Sequence, residues 1–254
     1  MRKALAGLAL LMPLACLAAE SIQVEANTVL RLPAKSESLS LDRVTVAEQG
    51  ALLIPARVKV LRIEHLQLGK NARLGVFPNQ EPLRIEVLDG QLADGSVIAA
   101  QGASGSFQKP ASAGRNLVLH LQNVDVTNLL VDVRGGVGAP GFDGLDGADA
   151  RAGGCLWGSS QAAGDGQNGG DGQPGAAGGV VRLEVPQGFP VELVKVRLEG
   201  GVGGAPGKPG KGGARSGERG CLIYSQSGGV GGQPGQPGAA GAAGTAGRLE
   251  VQNF

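Results

Sequence analysis

Large rings are nearly missing from this chain: its 254 residues include five Phe, one Trp and one Tyr. A core built on aromatic packing is therefore excluded. Histidine occurs only twice and cysteine three times, at spacings unsuited to a metal cluster, so no metal or cofactor is expected and a conventional active site has little material. Excess charge of either sign is missing too. With 23 Lys+Arg against 22 Asp+Glu the net charge is +1, which excludes a whole-chain electrostatic footprint for nucleic acid or an anionic membrane. The apolar run near the N-terminus falls short of the ~20 residues a transmembrane helix needs.

Glycine is what the chain has in excess, and it is unevenly spread. Of 46 Gly, 9 fall in residues 1–134 and 37 in residues 135–254. The second half cannot be a helix bundle, because each interior Gly costs about 1 kcal/mol relative to Ala in a helix.

The first residues have the form of an export signal. Arg2 and Lys3 precede the apolar stretch Ala4 to Met12, Pro13 interrupts it, and Ala15, Ala18 and Ala19 lead to the polar Glu20. This predicts a signal peptide over residues 1–19, cleaved after Ala18 or Ala19, and delivery to the periplasm, the outer-membrane surface or the exterior. The alternative is lipidation at Cys16, since Pro13-Leu-Ala-Cys16 resembles a bacterial lipoprotein box and departs from it at Pro13. Either way Cys155 and Cys221 remain. An exported chain with two cysteines is expected to join them, with two free thiols as the alternative.

Residues 20–134 alternate apolar and polar side chains with period 2: Leu61/Ile63, Leu83/Ile85/Val87, Leu117/Leu119/Leu121 and Leu129/Val131/Val133. Leu61-Arg-Ile-Glu64 returns as Leu83-Arg-Ile-Glu86, a step of 22, and the pattern Leu68, Ala72, Leu74 returns as Leu92, Ser96, Ile98, a step of 24. Short strands at such a period predict an all-β, β-solenoid-like domain of stacked turns, each burying its apolar edge on the next. An antiparallel sandwich is the alternative.

Residues 135–254 read as a Gly-rich domain holding two copies of one cassette, 135–179 and 200–247, with strands between and after them. Gly recurs every third residue from 135 to 147 and from 166 to 178, then from 201 to 213 and from 229 to 247. Each copy is interrupted by a loop with one cysteine, Cys155-Leu-Trp157 in the first and Cys221-Leu-Ile-Tyr224 in the second. Period 3 is that of a polyproline-II helix, whose third residues share one edge. Gly on that edge admits a neighbouring backbone closely enough to exchange hydrogen bonds, which such helices lack internally.

Gly204-Ala-Pro-Gly-Lys-Pro-Gly210 and Gly232-Gln-Pro-Gly-Gln-Pro-Gly238 resemble segments of bacterial collagen-like exported proteins. The layout also resembles polyglycine-II bundle proteins, among them a springtail antifreeze protein and tail-fibre adhesins of some phages. The resemblance covers the C-terminal 120 residues and implies a surface-structural or adhesive role. Two assemblies remain open, a bundle folded within one chain and a collagen-type trimer; short runs broken by Cys loops favour the monomeric bundle.

Asp143, Asp146 and Asp149 share one edge, and Lys208, Lys211, Arg215 and Arg219 follow in the matching run, so an acidic edge is expected to face a basic one. Ca²⁺ binding by the Asp row is disfavoured, because successive members would stand ~9 Å apart along such a helix. The candidate ligand site is the tip where the two Cys loops meet: Trp157 and Tyr224 with Arg151, Arg215 and Arg219, suited to a glycan or a protein surface. The alternative is a small core of Leu156, Trp157, Leu222 and Tyr224 around the disulfide.

Gly164-x-Gly166-x-x-Gly169 matches a dinucleotide fingerprint only because Gly is periodic there, and Pro209 stands where a phosphate loop needs Ser or Thr. His65 and His120 are expected on outward positions. The sequence thus points to a non-enzymatic surface or matrix protein, structural or adhesive. Other classes are an ice-binding protein, from the row Ala239 to Ala246, and a secreted polysaccharide-processing enzyme on a solenoid.

Overall fold

A computed structural model describes residues 21–33 and 36–254 of the chain. The expected export segment, with Cys16, lies outside the described residues. The molecule is almost entirely β, arranged in two parallel sheets between which consecutive strands alternate. One sheet holds β1 (Ser21–Val24), β3 (Ser38–Val46), β5 (Val60–Leu68), β7 (Leu83–Leu92), β9 (Leu117–Val126), β11 (Val180–Val185) and β15 (Arg248–Asn253) in that spatial order. The other holds β2 (Val29–Arg31), β4 (Ala51–Ile54), β6 (Arg73–Val76), β8 (Ser96–Ala99), β10 (Leu129–Asp132) and β12 (Val194–Arg197). Two short strands, β13 (Arg219–Gly220) and β14 (Ser225–Gln226), pair antiparallel on their own.

Period-2 alternation decides what lies between the sheets. Leu41, Ile63, Val87 and Leu121 face one another in register on one side. Leu52, Leu74, Ile98 and Val131 do so on the other, and all eight are buried. Aliphatic columns of this kind fill a narrow interior without rings, which is why so few aromatics suffice. Each long strand slips its alternation once, at Asp42-Arg43, Glu64-His65, Leu88-Asp89 and Gln122-Asn123, and the pairing register skips one residue there. Stacking at the corners is just as regular. Asn27, Gln49, Asn71 and Gly95 all take positive φ, and the Asn27, Gln49 and Asn71 amides donate to the carbonyls of Glu48, Lys70 and Asp94 in the next such connection.

The register corrects one detail of the sequence reading. Leu61 pairs with Ile85 and not with Leu83, so the step across β5 and β7 is 24 rather than 22. The error of two residues leaves every side chain on its expected face, because the strand period is two.

The strands expected between the Gly-rich runs extend both sheets. β11 pairs with β9, β12 with β10, and β15 closes the long-strand sheet on β11. Ser96, Arg115 and Asp132 are the polar residues buried among the described residues. Arg115 is fully buried and donates to the carbonyls of Glu81 (2.9 Å), Val58 (2.5 Å) and Phe77 (3.4 Å), tying three corner segments together.

Four Gly-rich segments, 135–150, 161–179, 199–214 and 228–247, leave the sheets and return to them. The first donates from Gly138, Gly141, Gly144 and Gly147 to Val202, Ala205, Lys208 and Lys211 of the third, in parallel. The second donates in parallel to the fourth, from Gly166, Gly169 and Gly172 to Gln233, Gln236 and Ala239. It also runs antiparallel to the first, as in Gly170 to Phe142. The third donates to the second, and the fourth to the third. The second and third segments are therefore bonded to all three others. A further stretch that sequence reading missed joins the base of this assembly: Gly102 donates to Arg134, Gly136 to Ser112 and Gly114 to Ala177.

Candidate functional site

Glycine at every third position is a steric requirement of these contacts. A Cβ on Gly141 would stand 1.9 Å from the Gly170 carbonyl oxygen, and one on Gly172 would stand 2.1 Å from that of Gly204. Backbone hydrogen bonds lie beside these approaches, Gly170 donating to Phe142 and Gly204 to Gln173, so packing and hydrogen-bond satisfaction coincide.

The Asp row acts differently from the expected charge pairing. Asp143, Asp146 and Asp149 accept from the backbone amides of Lys208 (2.7 Å), Lys211 (2.6 Å) and Ala214 (2.8 Å), not from lysine ammonium groups. A second row repeats the device between the second and fourth segments. Asp165, Asn168 and Asp171 accept from the amides of Gln233, Gln236 and Ala239 at 2.6–2.7 Å. Each acceptor except Asp149, which precedes Ala150, immediately precedes a period-3 Gly, and each donor immediately follows one. Because neutral Asn168 serves as well as its Asp neighbours, the oxygen matters here and the charge does not. This row was legible as an edge of acids, but its partners were not.

At the far ends of the segments, Cys155 and Cys221 form a disulfide with Cα atoms 5.7 Å apart. The two loops it joins are shaped by backbone contacts. Arg151 and Gln161 exchange two hydrogen bonds across the first loop, while Cys221 donates to the Tyr224 carbonyl within the second. The Tyr224 hydroxyl donates to the Cys155 carbonyl and so bridges the loops a second time. Arg219, in β13, pairs opposite Gln226.

The expected small core around the disulfide does not form. Leu156, Trp157, Leu222 and Ile223 are 87, 88, 105 and 94 % exposed. Only Tyr224 turns inward, at 49 %. The loops are too short to fold back over the bond, so their apolar side chains project outward. Arg151, Arg215, Glu218 and Arg219, all exposed, flank them in sequence. The structure thus gathers Trp157, Tyr224 and two of the three arginines within or beside the bonded loops, with Arg215 at the end of the third segment. Ile223 was overlooked in the sequence, although its position between Leu222 and Tyr224 was visible.

The long-strand sheet carries the titratable groups. Arg84 binds Glu86 (2.7 Å) and Glu184 (2.9 Å), Arg62 binds Glu86 (2.7 Å), and His120 Nδ1 lies 3.1 Å from Glu184. Hydrogen bonds from Arg84 and then Arg62 hold the Glu86 carboxyl below its ordinary range, and those from Arg84 and His120 do so for Glu184. His120 also stacks on Phe254, with ring centroids 4.6 Å apart. His65 belongs to a different hollow of about 610 Å³, lined also by Arg43, Asp89, Gln91 and Asp125. Its Nδ1 stands 3.7 Å from Asp89, beyond hydrogen-bond reach. The two histidines therefore do not converge. Among the described residues no group of three or more His, Cys, Asp or Glu is placed to hold a metal, and no helix is long and apolar enough to cross a membrane.

No protein-family model, curated protein or solved structure matches this chain.

Proposed function

We propose that this is a non-enzymatic, exported adhesive protein: a β-solenoid body from which two polyproline-II-like hairpins extend as one rigid rod with a recognition tip. The solenoid reading is supported by strict alternation of consecutive strands between two parallel sheets. Hairpins are supported by antiparallel bonding of the first segment to the second and of the third to the fourth. At ~3.1 Å per residue, segments of about 16 residues place the tip ~50 Å from the body. Hydrogen bonding among four lengths of one chain favours a monomer over a collagen-type trimer. The disulfide agrees with export to the periplasm or beyond.

One observation carries the adhesive reading: four large apolar side chains stand almost fully exposed at the end of a rigid, cross-linked support. Exposure on this scale is a feature of interaction sites. The test is attachment of beads coated with the full chain to bacterial cells. A variant with Leu156, Trp157, Leu222 and Ile223 all replaced by Ser is expected to lose at least tenfold in attachment while keeping its circular-dichroism spectrum. Equal attachment by the two proteins would refute the reading.

Ice binding remains a second reading on one observation, the exposure of Ala239, Ala240, Ala242, Ala243, Thr245 and Ala246 along the fourth segment. Absence of thermal hysteresis in the purified protein would eliminate it.

A further inference from the structure

We infer that the tip is a lipid-binding device: Leu156, Trp157, Leu222 and Ile223 enter the interface of a bilayer, and Arg151, Arg215 and Arg219 meet anionic headgroups. This rests on the adhesive reading above and names the surface that the tip recognises.

Three features support a bilayer over a protein partner. First, the apolar residues form no pocket or groove. They stand outward from two adjacent loops, at 87–105 % exposure, as separate side chains that a fluid surface can surround individually. Second, their chemistry is interfacial. Three aliphatic chains suit the acyl boundary, and an indole, with an apolar body and one N–H donor, is favoured at headgroup depth. Third, charge is distributed as a bilayer requires. The apolar residues cluster at the extremity, while three exposed arginines against Asp149 and Glu218 flank them in sequence. The tip thus carries a local positive excess although the chain as a whole carries only +1.

The loop construction also suits partial insertion. Unpaired backbone groups are costly in hydrocarbon. Several of theirs are paired: within the second loop Cys221 N–H donates to Tyr224 and β13 pairs with β14, and between the loops the Cys155 carbonyl accepts from the Tyr224 hydroxyl. The disulfide fixes both loops at one level, so all four side chains reach the surface together. Shallow insertion of a few side chains gives reversible attachment and is distinct from a membrane span.

The chain supplies its own reporter, since Trp157 is its single tryptophan. The full protein is mixed with vesicles of phosphatidylcholine alone or with 30 % phosphatidylglycerol, and both sedimentation and Trp157 emission are followed. The expected result is a blue shift of emission, quenching by lipids brominated near the headgroup, and at least tenfold tighter binding to the anionic vesicles at low salt. Leu156→Ser/Leu222→Ser/Ile223→Ser, which keeps Trp157, is expected to lose the shift and the quenching. Arg151→Gln/Arg215→Gln/Arg219→Gln is expected to lose the anionic preference. Any contribution of residues 1–19 is common to all variants, and Trp157 reports the tip alone.

Unchanged Trp157 emission with both kinds of vesicle would overturn the lipid assignment, as would sedimentation without quenching. If that happens while the tip variant still loses attachment to cells, the adhesive reading survives with a protein or glycan partner. If attachment is also indifferent to the tip, both fall.

Discussion

The steric role of the periodic glycines can be tested at a single methyl group. In Gly207→Ala the new Cβ would stand 1.9 Å from the Phe142 carbonyl oxygen, 2.7 Å from its carbon and 2.9 Å from Gly170 N. All three are backbone atoms, so no side chain can swing away. Reaching the 3.4 Å of ordinary contact requires the first segment to retreat by about 1.5 Å. Bonds that cannot survive such a shift include Gly170 to Phe142 (2.7 Å), Gly141 to Ala205 (2.9 Å) and Gly144 to Lys208 (2.8 Å). Three backbone hydrogen bonds at about 1 kcal/mol each, plus the cost of groups left unpaired, give a loss of about 3–5 kcal/mol. For a chain of this size that corresponds to a melting temperature lower by on the order of 10 °C. The control is Gly217→Ala, where nothing lies within 4 Å of the added Cβ. It is expected to change stability by less than about 1 kcal/mol, with a gain from lower unfolded-state entropy. Thermal denaturation followed by circular dichroism, with hydrogen exchange at the segment amides, measures both variants. Melting temperatures within about 2 °C of each other would refute close packing of the segments.

Further outcomes follow from the same contacts. Asp146→Ala should destabilise by about 1 kcal/mol, whereas Asp146→Asn should be close to neutral, because an amide oxygen can accept from Lys211 as Asn168 does from Gln236; equal losses in chemical denaturation would show that charge is what counts. Arg115→Met should cost about 3 kcal/mol, since it strands the buried carbonyl of Val58 and removes the donor to the part-buried carbonyls of Phe77 and Glu81, and a loss under 1 kcal/mol by urea titration would contradict that role. Acid should weaken the body. Burial pushes the Asp132 carboxyl up, but Arg134 and Gln101 outweigh it and hold it low, and arginine contacts do the same for Glu86 and Glu184. Their folded values lie below the unfolded ones of about 4, so this stabilisation is complete above pH ~5 and is lost as pH falls through the folded values. A melting temperature that stays level from pH 6 to pH 2 would argue against it.

Much of the architecture was written locally. Alternation at Leu61/Ile63 or Leu117/Leu119 marks a buried strand face whatever the partner, and Gly at each third position marks a backbone that must be approached closely. Cys155 and Cys221, in matching loops, announced their own pairing. These are statements about what each stretch of chain can do, and side-chain size and period are sufficient to make them.

Neighbours had to be decided by the folded molecule. Which residue of β7 meets Leu61 was undetermined, because a two-residue shift preserves the facing of every side chain. The acceptor role of Asp143, Asp146 and Asp149 depended on which segment lay alongside and how far it was staggered. Residues 100–114, with only Gly102, Gly105 and Gly114, lack a long period and joined the bundle through contacts to Arg134, Gly136 and Ala177. At the tip, composition allowed Leu156, Trp157, Leu222 and Ile223 either to bury one another or to face solvent. Short loops tied by the disulfide and the Tyr224 hydroxyl left them outside, because burial requires a surface to close upon and only the assembled chain determines whether one is within reach.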